Sequence, residues 1–197
     1  MFLNVPFDPD YMPLFDAMVF TVCDCGFYPR NAREQQDSGQ IRVEKLFKLI
    51  DDSKYGIHDI SRTDLDKVNR LPRFNMPFEL GLFIGAHQWG AGRNRRKVTL
   101  VLDREPYRYQ KFLSDIAGQD IRSHGNHQRA LITVVRDWLS DNAPDMRMPG
   151  GASIFQRFVS FAKDLPAYCI LNRLQPSELT FNDRLKLVAE WIEINQS

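Results

Sequence analysis

Two acidic residues, Asp59 and Glu79, occupy positions where a strand is expected to end and a helix to begin. Asp59 follows the apolar run that starts at Tyr55, and Glu79 lies in the apolar segment that follows Asn75 and Pro77. We expect Asn75 to cap this helix, so that Glu79 lies at the end of the first turn, where the helix dipole favours an ionised carboxylate. An ionised carboxylate suits a nucleophile, or a group that stabilises positive charge on a sugar. The two residues therefore predict an active site in which both carboxylates face one crevice.

Each of the two also has a purely structural interpretation. A glutamate at the start of a helix often serves only the dipole. An aspartate that follows a strand often closes an Asx turn. Because His58 and Asp59 point to opposite faces of a strand, one of the two is free to face the core. The residues by themselves leave the structural and the catalytic interpretation open.

The pattern along the rest of the chain predicts strands that alternate with helices. Strands are expected at 1–5, 27–31, 55–60, 97–102 and 120–123, and helices at 11–25, 41–50, 76–87 and 130–140. Asp37 and Gln40 are expected to cap the helix at 41–50. Gly81 and Gly85 are expected to let the helix at 76–87 approach the sheet closely. This alternation predicts an α/β fold, and we favour a flavodoxin-like, doubly wound parallel sheet of about five strands. Such sheets bind ligands at the carboxyl ends of their strands.

The residues expected at that edge supply groups for a nucleotide-like substrate. Phe7 would stack on a base or simply pack, and Arg30 and Arg33 would meet a phosphate or remain surface charge. Tyr107, among basic neighbours, would form a stacking wall or a packed rim. The predicted substrate-binding residues are Phe7, Asp8, Arg30, Arg33, Ser61, Asn75, Asp103 and Tyr107, with Glu79 and Asp59 as the catalytic pair.

The composition changes after Asp141. The segment 142–152 is rich in Pro and Gly and predicts a linker. Apolar residues at helical spacing follow it, among them Ile154, Phe158, Leu185 and Trp191. We therefore expect a nucleotide-binding domain at 1–141, a linker at 142–152 and a helical extension at 153–197. The extension would pack on the domain or form a homo-oligomer.

The overall composition excludes several classes of partner. The chain has 197 residues and a net charge of +1, so neither nucleic acid nor a membrane is expected as a main partner. The basic run 93–97 is expected to be a solvated loop, with a phosphate or RNA contact as the minor alternative. Cys23, Cys25 and Cys169 form no metal spacing and no disulfide framework, which favours a reducing cytoplasm. No apolar run has the length of a membrane span, and no signal peptide is apparent.

Several well-known site motifs are missing from the sequence. It has no G-x-G-x-x-G or G-x-x-x-x-G-K phosphate loop, no G-x-S-x-G elbow, no H-E-x-x-H and no Cys/His metal set. A dinucleotide dehydrogenase, a P-loop enzyme, a serine hydrolase and a zinc enzyme are therefore disfavoured. We predict a site without a cofactor or a metal.

Four segments resemble a known family. MFLNVPFD, YGIHDIS, NMPFELGLFIGA and VTLVLD are similar to the nucleoside 2-deoxyribosyltransferase-like proteins and the neighbouring TIR-like nucleotide-binding proteins, over about residues 1–140. The resemblance implies a flavodoxin-like fold and attack on the N-glycosidic bond of a nucleoside, a nucleotide or NAD. It also implies that Glu79 is the catalytic position, that Asp59 is the strand-end acid, and that Phe7 lies in the loop that contacts the base.

The sequence departs from that family at one position. Transferases of the family carry an Asp shortly before the helix Glu, whereas this chain has Arg73 six residues before Glu79. This favours hydrolysis, or binding without turnover, over transfer. The sequence therefore predicts an N-glycosidase. The alternatives are a non-catalytic module that binds a nucleotide or second messenger and, less favoured, a structural adaptor that uses 104–111.

Overall fold

A computed structural model describes residues 1–34, 41–63, 74–119 and 121–195. Within these residues the chain forms four β-strands, six α-helices and four short 3-10 turns. The strands are β1 (Phe2–Asn4), β2 (Tyr55–Asp59), β3 (Val98–Asp103) and β4 (Ile121–Ser123). The helices are α1 (Met12–Asp24), α2 (Arg42–Asp52), α3 (Asn75–Trp89), α4 (Gln128–Asn142), α5 (Gly151–Leu171) and α6 (Phe181–Ile194). The predicted cap residues Asp37 and Gln40 lie outside the described residues, as does Arg73.

The four strands form one parallel sheet in the order β1-β2-β3-β4. The predicted α/β class is confirmed. The segment predicted as a strand at 27–31 contributes only a parallel bridge, in which Arg30 pairs with Phe2. Arg30 donates its backbone N–H to the Met1 carbonyl (2.7 Å), and its own carbonyl accepts from Leu3 (2.8 Å). Among the described residues, this pairing is confined to Arg30.

Contacts within the chain define two compact units, and each is discontinuous in sequence. The sheet unit contains Met1–Tyr11 and Arg30–Asn126, and the helical unit contains Met12–Pro29 and His127–Ser197. Helix α5 begins at Gly151, so the last two residues of the predicted linker are helical. The predicted division at 141–152 stays a prediction.

In the sheet unit, α2 and α3 cover one face of β1 and β2. Phe2 packs with Leu46, Leu49 and Ile50 of α2 and with Phe83 of α3. The close approach of α3 is made at Gly56 in β2, where an added Cβ would lie 2.7 Å from Phe83 and from His58. The expectation that Gly81 and Gly85 provide this approach is wrong: no atom lies within 4 Å of a Cβ at Gly81, and Gly85 contacts Trp89 of its own helix.

The helical unit is formed by α1, α4, α5 and α6. The ring of Phe20 in α1 packs against Phe158, Phe161 and Trp191, with centroid distances of 5.4–5.7 Å. A capping box joins Thr180 and Asp183 at the start of α6. The helices predicted after the linker are thus present. In the described part of the chain, no helix is both long and apolar enough to cross a membrane.

Candidate functional site

A cavity of about 570 Å³ lies at the carboxyl end of β1, entirely within the sheet unit. This volume falls in the range of sites for small molecules. Its wall combines aromatic, amide, basic and acidic side chains. The lining residues are Leu3, Asn4, Val5, Pro6, Phe7, Asp8, Pro9, Asn31, Ala32, Arg33, Arg42, Arg62, Asn75, Met76 and Glu79. A cavity is therefore present at the edge of the sheet where the sequence analysis expects a ligand to bind.

Glu79 lies on the cavity wall but not in the first turn of α3. The helix begins at Asn75, and Phe74 is the residue whose carbonyl accepts the first helical hydrogen bond, from Phe78 (2.9 Å). The expected capping by Asn75 is therefore wrong, because Asn75 is itself helical and Phe74 has no side chain able to cap. Pro77 has no N–H and fits this first turn without loss. Glu79 is the fifth helical residue, so the helix dipole stabilises its negative charge less than expected.

The electrostatic state of Glu79 is set mainly by burial. Its side chain is only 8% exposed. Burial raises the pKa of Glu79 to about 7, and the positive charge of Arg42 offsets only part of this rise. Removal from water favours the neutral carboxyl group over the charged one. A carboxyl group with a pKa near neutrality accepts or releases a proton, or carries a charge, under physiological conditions.

Three arginines, Arg33, Arg42 and Arg62, share the cavity with Glu79. The guanidinium group of Arg33 stacks on the ring of Phe7, 4.0 Å from its centroid. Burial and the like charge of Arg42 lower the pKa of Arg33. Arg62 lies 3.6 Å from Asp8. No carboxylate of the described residues forms an ion pair with Arg33 or Arg42. Among the described lining residues, the three arginines outnumber the two carboxyl groups, Asp8 and Glu79.

Two buried asparagines fix the ends of the segments that form the wall. Asn4 donates from Nδ2 to the Met76 carbonyl (2.9 Å) and to His58 Nδ1 (3.0 Å), which connects β1 to the start of α3. Asn31 donates to the Leu3 carbonyl (2.6 Å) and accepts from the Arg33 backbone N–H (2.9 Å). The backbone that carries Arg33 is therefore held against β1.

Asp59 lies away from the cavity because successive side chains of β2 point to opposite faces of the sheet. His58 faces α3, with its ring 5.0 Å from that of Phe83, so the next residue faces the opposite side of the sheet. There Asp59 is fully buried, accepts from Tyr11 Oη (2.5 Å) and the Ser61 backbone N–H (2.8 Å), and lies 3.1 Å from His124 Nε2. The expectation that Asp59 and Glu79 face one crevice is wrong.

These partners also determine the charge of Asp59. Burial by itself raises the pKa of Asp59, but the hydrogen bond and charge of His124, with the hydrogen bonds from Ser61 and Tyr11, outweigh it and lower the pKa. His124 Nδ1 accepts the Asn126 backbone N–H (3.0 Å), which orients the ring so that Nε2 faces Asp59. Asp59 is thus an ionised carboxylate, and each of its two oxygens accepts a hydrogen bond from within the protein.

Four other predicted site residues lie away from the cavity wall. Ser61 is fully buried beside Asp59, and Arg30 pairs with Glu34 (2.6 Å). Asp103 is fully buried and pairs with Arg108 (2.8 Å), which also donates to the Ile60 carbonyl. Tyr107 is 73% exposed. Arg108 thereby joins the ends of β2 and β3, which is a structural role.

The cavity therefore brings together Phe7, Asp8, Arg33, Asn75 and Glu79 of the predicted set. Sequence reasoning missed Asn4, Asn31, Arg42 and Arg62. Asn4 and Asn31 each follow an apolar segment, which is the signal used for Asp59. Arg42 had no such signal, because it begins a helix with an otherwise ordinary amphipathic pattern.

A second, smaller concavity adjoins the first. It has a volume of about 230 Å³ and shares Arg42, Asn75 and Glu79 with the main cavity. Its other lining residues are mainly apolar: Ala32, Val43, Leu46 and Phe78. The Phe78 ring is 55% exposed. Glu79 therefore lies between a polar cavity and an apolar one.

Among the described residues, no group of three or more His, Cys, Asp or Glu side chains is placed to hold a metal ion. No family model, curated protein or solved structure matches this chain. Function must therefore be argued from the geometry of the cavity.

Proposed function

We propose that this protein is an N-glycosidase that cleaves the bond between a sugar and a base in a nucleoside-type substrate. The observation that carries the proposal is the buried carboxyl group of Glu79, with its raised pKa, on the wall of the cavity. The resemblance to nucleoside 2-deoxyribosyltransferase-like and TIR-like proteins, which assigns the catalytic role to Glu79, supports the same activity.

The chemistry follows from the charge that develops on the sugar. As the bond from C1′ to the base nitrogen breaks, its electron pair leaves with the base and positive charge spreads over C1′ and the ring oxygen. An ionised Glu79, largely buried on the cavity wall, would stabilise this charge. It would do so by electrostatics or as a nucleophile that forms a glycosyl ester. Water then bonds to C1′ through its oxygen and keeps one proton as the new hydroxyl group. Its other proton passes, through solvent, to the base nitrogen, and Glu79 is left as the carboxylate.

Burial of the carboxyl group favours this role. Burial destabilises the ionised carboxylate in the empty cavity. The positive charge that develops on the sugar stabilises it. The interaction is therefore stronger in the transition state than in the free enzyme, which is the condition for catalysis. A second carboxylate is supplied by Asp8 rather than by the predicted Asp59, because Asp8 lines the cavity.

The wider arrangement supports a flavodoxin-like ancestry. If the bridge at Arg30 is taken as a shortened strand beside β1, the sheet has the order bridge-β1-β2-β3-β4. That order would match the flavodoxin order 2-1-3-4-5 and supports the proposed flavodoxin-like fold. The switch point then falls between β1 and β2, and the cavity adjoins the carboxyl end of β1.

The test is release of free base from a panel of nucleosides, 2′-deoxynucleosides, nucleoside monophosphates and NAD, followed by chromatography. We expect at least one substrate to release base, and Glu79→Gln to lower the rate by at least a hundredfold. Glu105→Gln is the matched control, because Glu105 is exposed and lies outside the cavity. Base release that is equal in the Glu79→Gln variant and the parent would remove Glu79 from the mechanism.

The alternative is a module that binds a nucleotide or second messenger without cleaving it. The observation that favours it is that Asp59 lies away from the cavity, so that the carboxyl group accompanying Glu79 on the described wall is Asp8, which lies beside Arg62. A thermal shift with AMP or NAD, with no product after prolonged incubation, would support this function over the glycosidase.

A further inference from the structure

Arg33 and Arg42 approach the same cavity from two different segments. Arg33 follows the bridge beside β1, and Arg42 is the first residue of α2. Each is close enough to the other for their like charges to interact. Neither forms an ion pair with a carboxylate of the described residues, whereas Arg62, the third arginine of the wall, lies beside Asp8. Two of the three cavity arginines thus lack an ion-pair partner in the part of the chain that the structure describes.

Two neighbouring guanidinium groups repel each other, and this repulsion is relieved when an anion binds between them. The structure also restrains one of them before any ligand binds. Arg33 stacks on Phe7, and its backbone N–H is held by Asn31. An ordered guanidinium group loses less conformational entropy on binding, and its fork of donors matches the oxygens of a phosphate group.

We infer that the ligand of this cavity carries a phosphate group on its sugar, bound by Arg33 and Arg42. The substrate class is then a nucleotide rather than a nucleoside. The inference deepens the proposed function, and its catalytic half rests on that proposal, whereas its binding half does not. Arg42 also lines the apolar concavity with Glu79 and Phe78. We therefore expect the phosphate to lie at the two arginines, the sugar at Glu79 and the base against the apolar surface of the smaller concavity.

The binding test uses the full-length Glu79→Gln variant, so that no probe is consumed. Titration calorimetry compares AMP with adenosine and ribose 5-phosphate with ribose, and NAD distinguishes an internal pyrophosphate from a terminal phosphate. We expect each phosphorylated probe to bind at least tenfold more tightly than its unphosphorylated counterpart, since charge-assisted hydrogen bonds are worth about this much. Equal affinities within a pair, or no binding of AMP at millimolar concentration, would overturn the inference.

Substitutions then assign the effect to the two arginines. Arg42→Gln and Arg33→Gln should each weaken AMP by about tenfold or more and leave adenosine within twofold. Arg96→Gln is the matched control, because this exposed arginine removes the same charge outside the cavity. Equal losses for AMP and adenosine would contradict phosphate recognition, and circular dichroism of each variant shows whether the fold is retained.

The outcomes also separate the inference from the proposed function. Tight, arginine-dependent AMP binding without any base release would retain the phosphate site and reject the glycosidase. Base release that depends on Glu79 but is equally fast from adenosine and AMP would retain the glycosidase and reject the phosphate site.

Discussion

The hydroxyl group of Tyr11 donates a hydrogen bond to Asp59 Oδ2 over 2.5 Å, and so joins the segment that follows β1 to the end of β2. That segment carries Phe7 and Asp8, which line the cavity. His124 Nε2 lies 3.1 Å from the same Oδ2 and connects it to the residue that follows β4. Asp59 is therefore a positioning residue, which acts on the cavity through the segment that it holds.

Removal of this hydroxyl group tests the positioning role. Tyr11→Phe leaves a buried carboxylate with one partner fewer, and we expect it to lower the free energy of unfolding by about 1–3 kcal/mol. Because hydrogen bonds help to lower the pKa of Asp59, its stabilising charge is present above the ordinary aspartate range and is lost as the pH falls below it. The midpoint of acid unfolding should therefore move to higher pH in the variant.

Tyr107→Phe is the control for this change. It removes the same hydroxyl group from a residue that is 73% exposed, so the free energy of unfolding should change by less than about 0.5 kcal/mol. Urea unfolding at pH 7 and acid titration followed by circular dichroism measure both effects. An acid midpoint unchanged by Tyr11→Phe would show that Asp59 does not depend on this hydrogen bond.

A second prediction concerns the contact between β2 and α3. In Gly56→Ala the added methyl group would lie 2.7 Å from Phe83 and His58, a distance at which these rings must move. Overpacking of this kind costs about 1–3 kcal/mol. Gly81→Ala is the matched control, because its methyl group meets no atom within 4 Å and alanine is the better helix former by about 0.8–1.0 kcal/mol. The melting temperature should fall in the first variant and stay or rise in the second. A melting temperature unchanged in Gly56→Ala would contradict the packing argument.

The strands and helices of this chain were largely predictable because they depend on local patterns. Helix α1, strand β2 and helix α4 follow from apolar spacing alone, and each lies within two residues of its predicted bounds. The strand predicted at 27–31 is reduced to a single bridge at Arg30. The cap at Asn75 failed because the choice between two neighbouring cap positions depends on how Phe74 and Pro77 fit the turn.

The site was only half predictable, and the reason is the geometry of a strand. The carboxyl-end rule identifies the correct edge of the sheet, but it does not say which face. His58 is the residue that decides, because Asn4 and Phe83 hold it on the side of α3 and thereby turn Asp59 away. Arg42 was not predictable, since only tertiary contacts bring the start of α2 to Glu79.

The pH dependence of catalysis is the third prediction. If Glu79 acts in its ionised form, kcat/KM for base release should rise as the pH increases through about 7, where the burial-raised pKa of Glu79 lies in the free protein. Asp8→Asn should lower the rate but leave this rising limb in place, because Glu79, to which the limb is assigned, is unchanged in that variant. A limb near pH 4.5 would indicate an ordinary, solvated carboxylate instead.

The fourth prediction is that Glu79 destabilises the protein at neutral pH. Below about pH 4.5 its carboxyl group is protonated in both the folded and the unfolded chain. As the pH rises toward the folded pKa of about 7, the unfolded chain releases its proton and the folded chain retains it, so stability falls. The full loss is about 3 kcal/mol above that pH. Glu79→Gln, which stays neutral, should therefore match the parent in melting temperature at pH 4.5 and exceed it by several degrees at pH 8, with Glu105→Gln close to the parent at both. A difference that is the same at both pH values would show that burial does not perturb this carboxyl group.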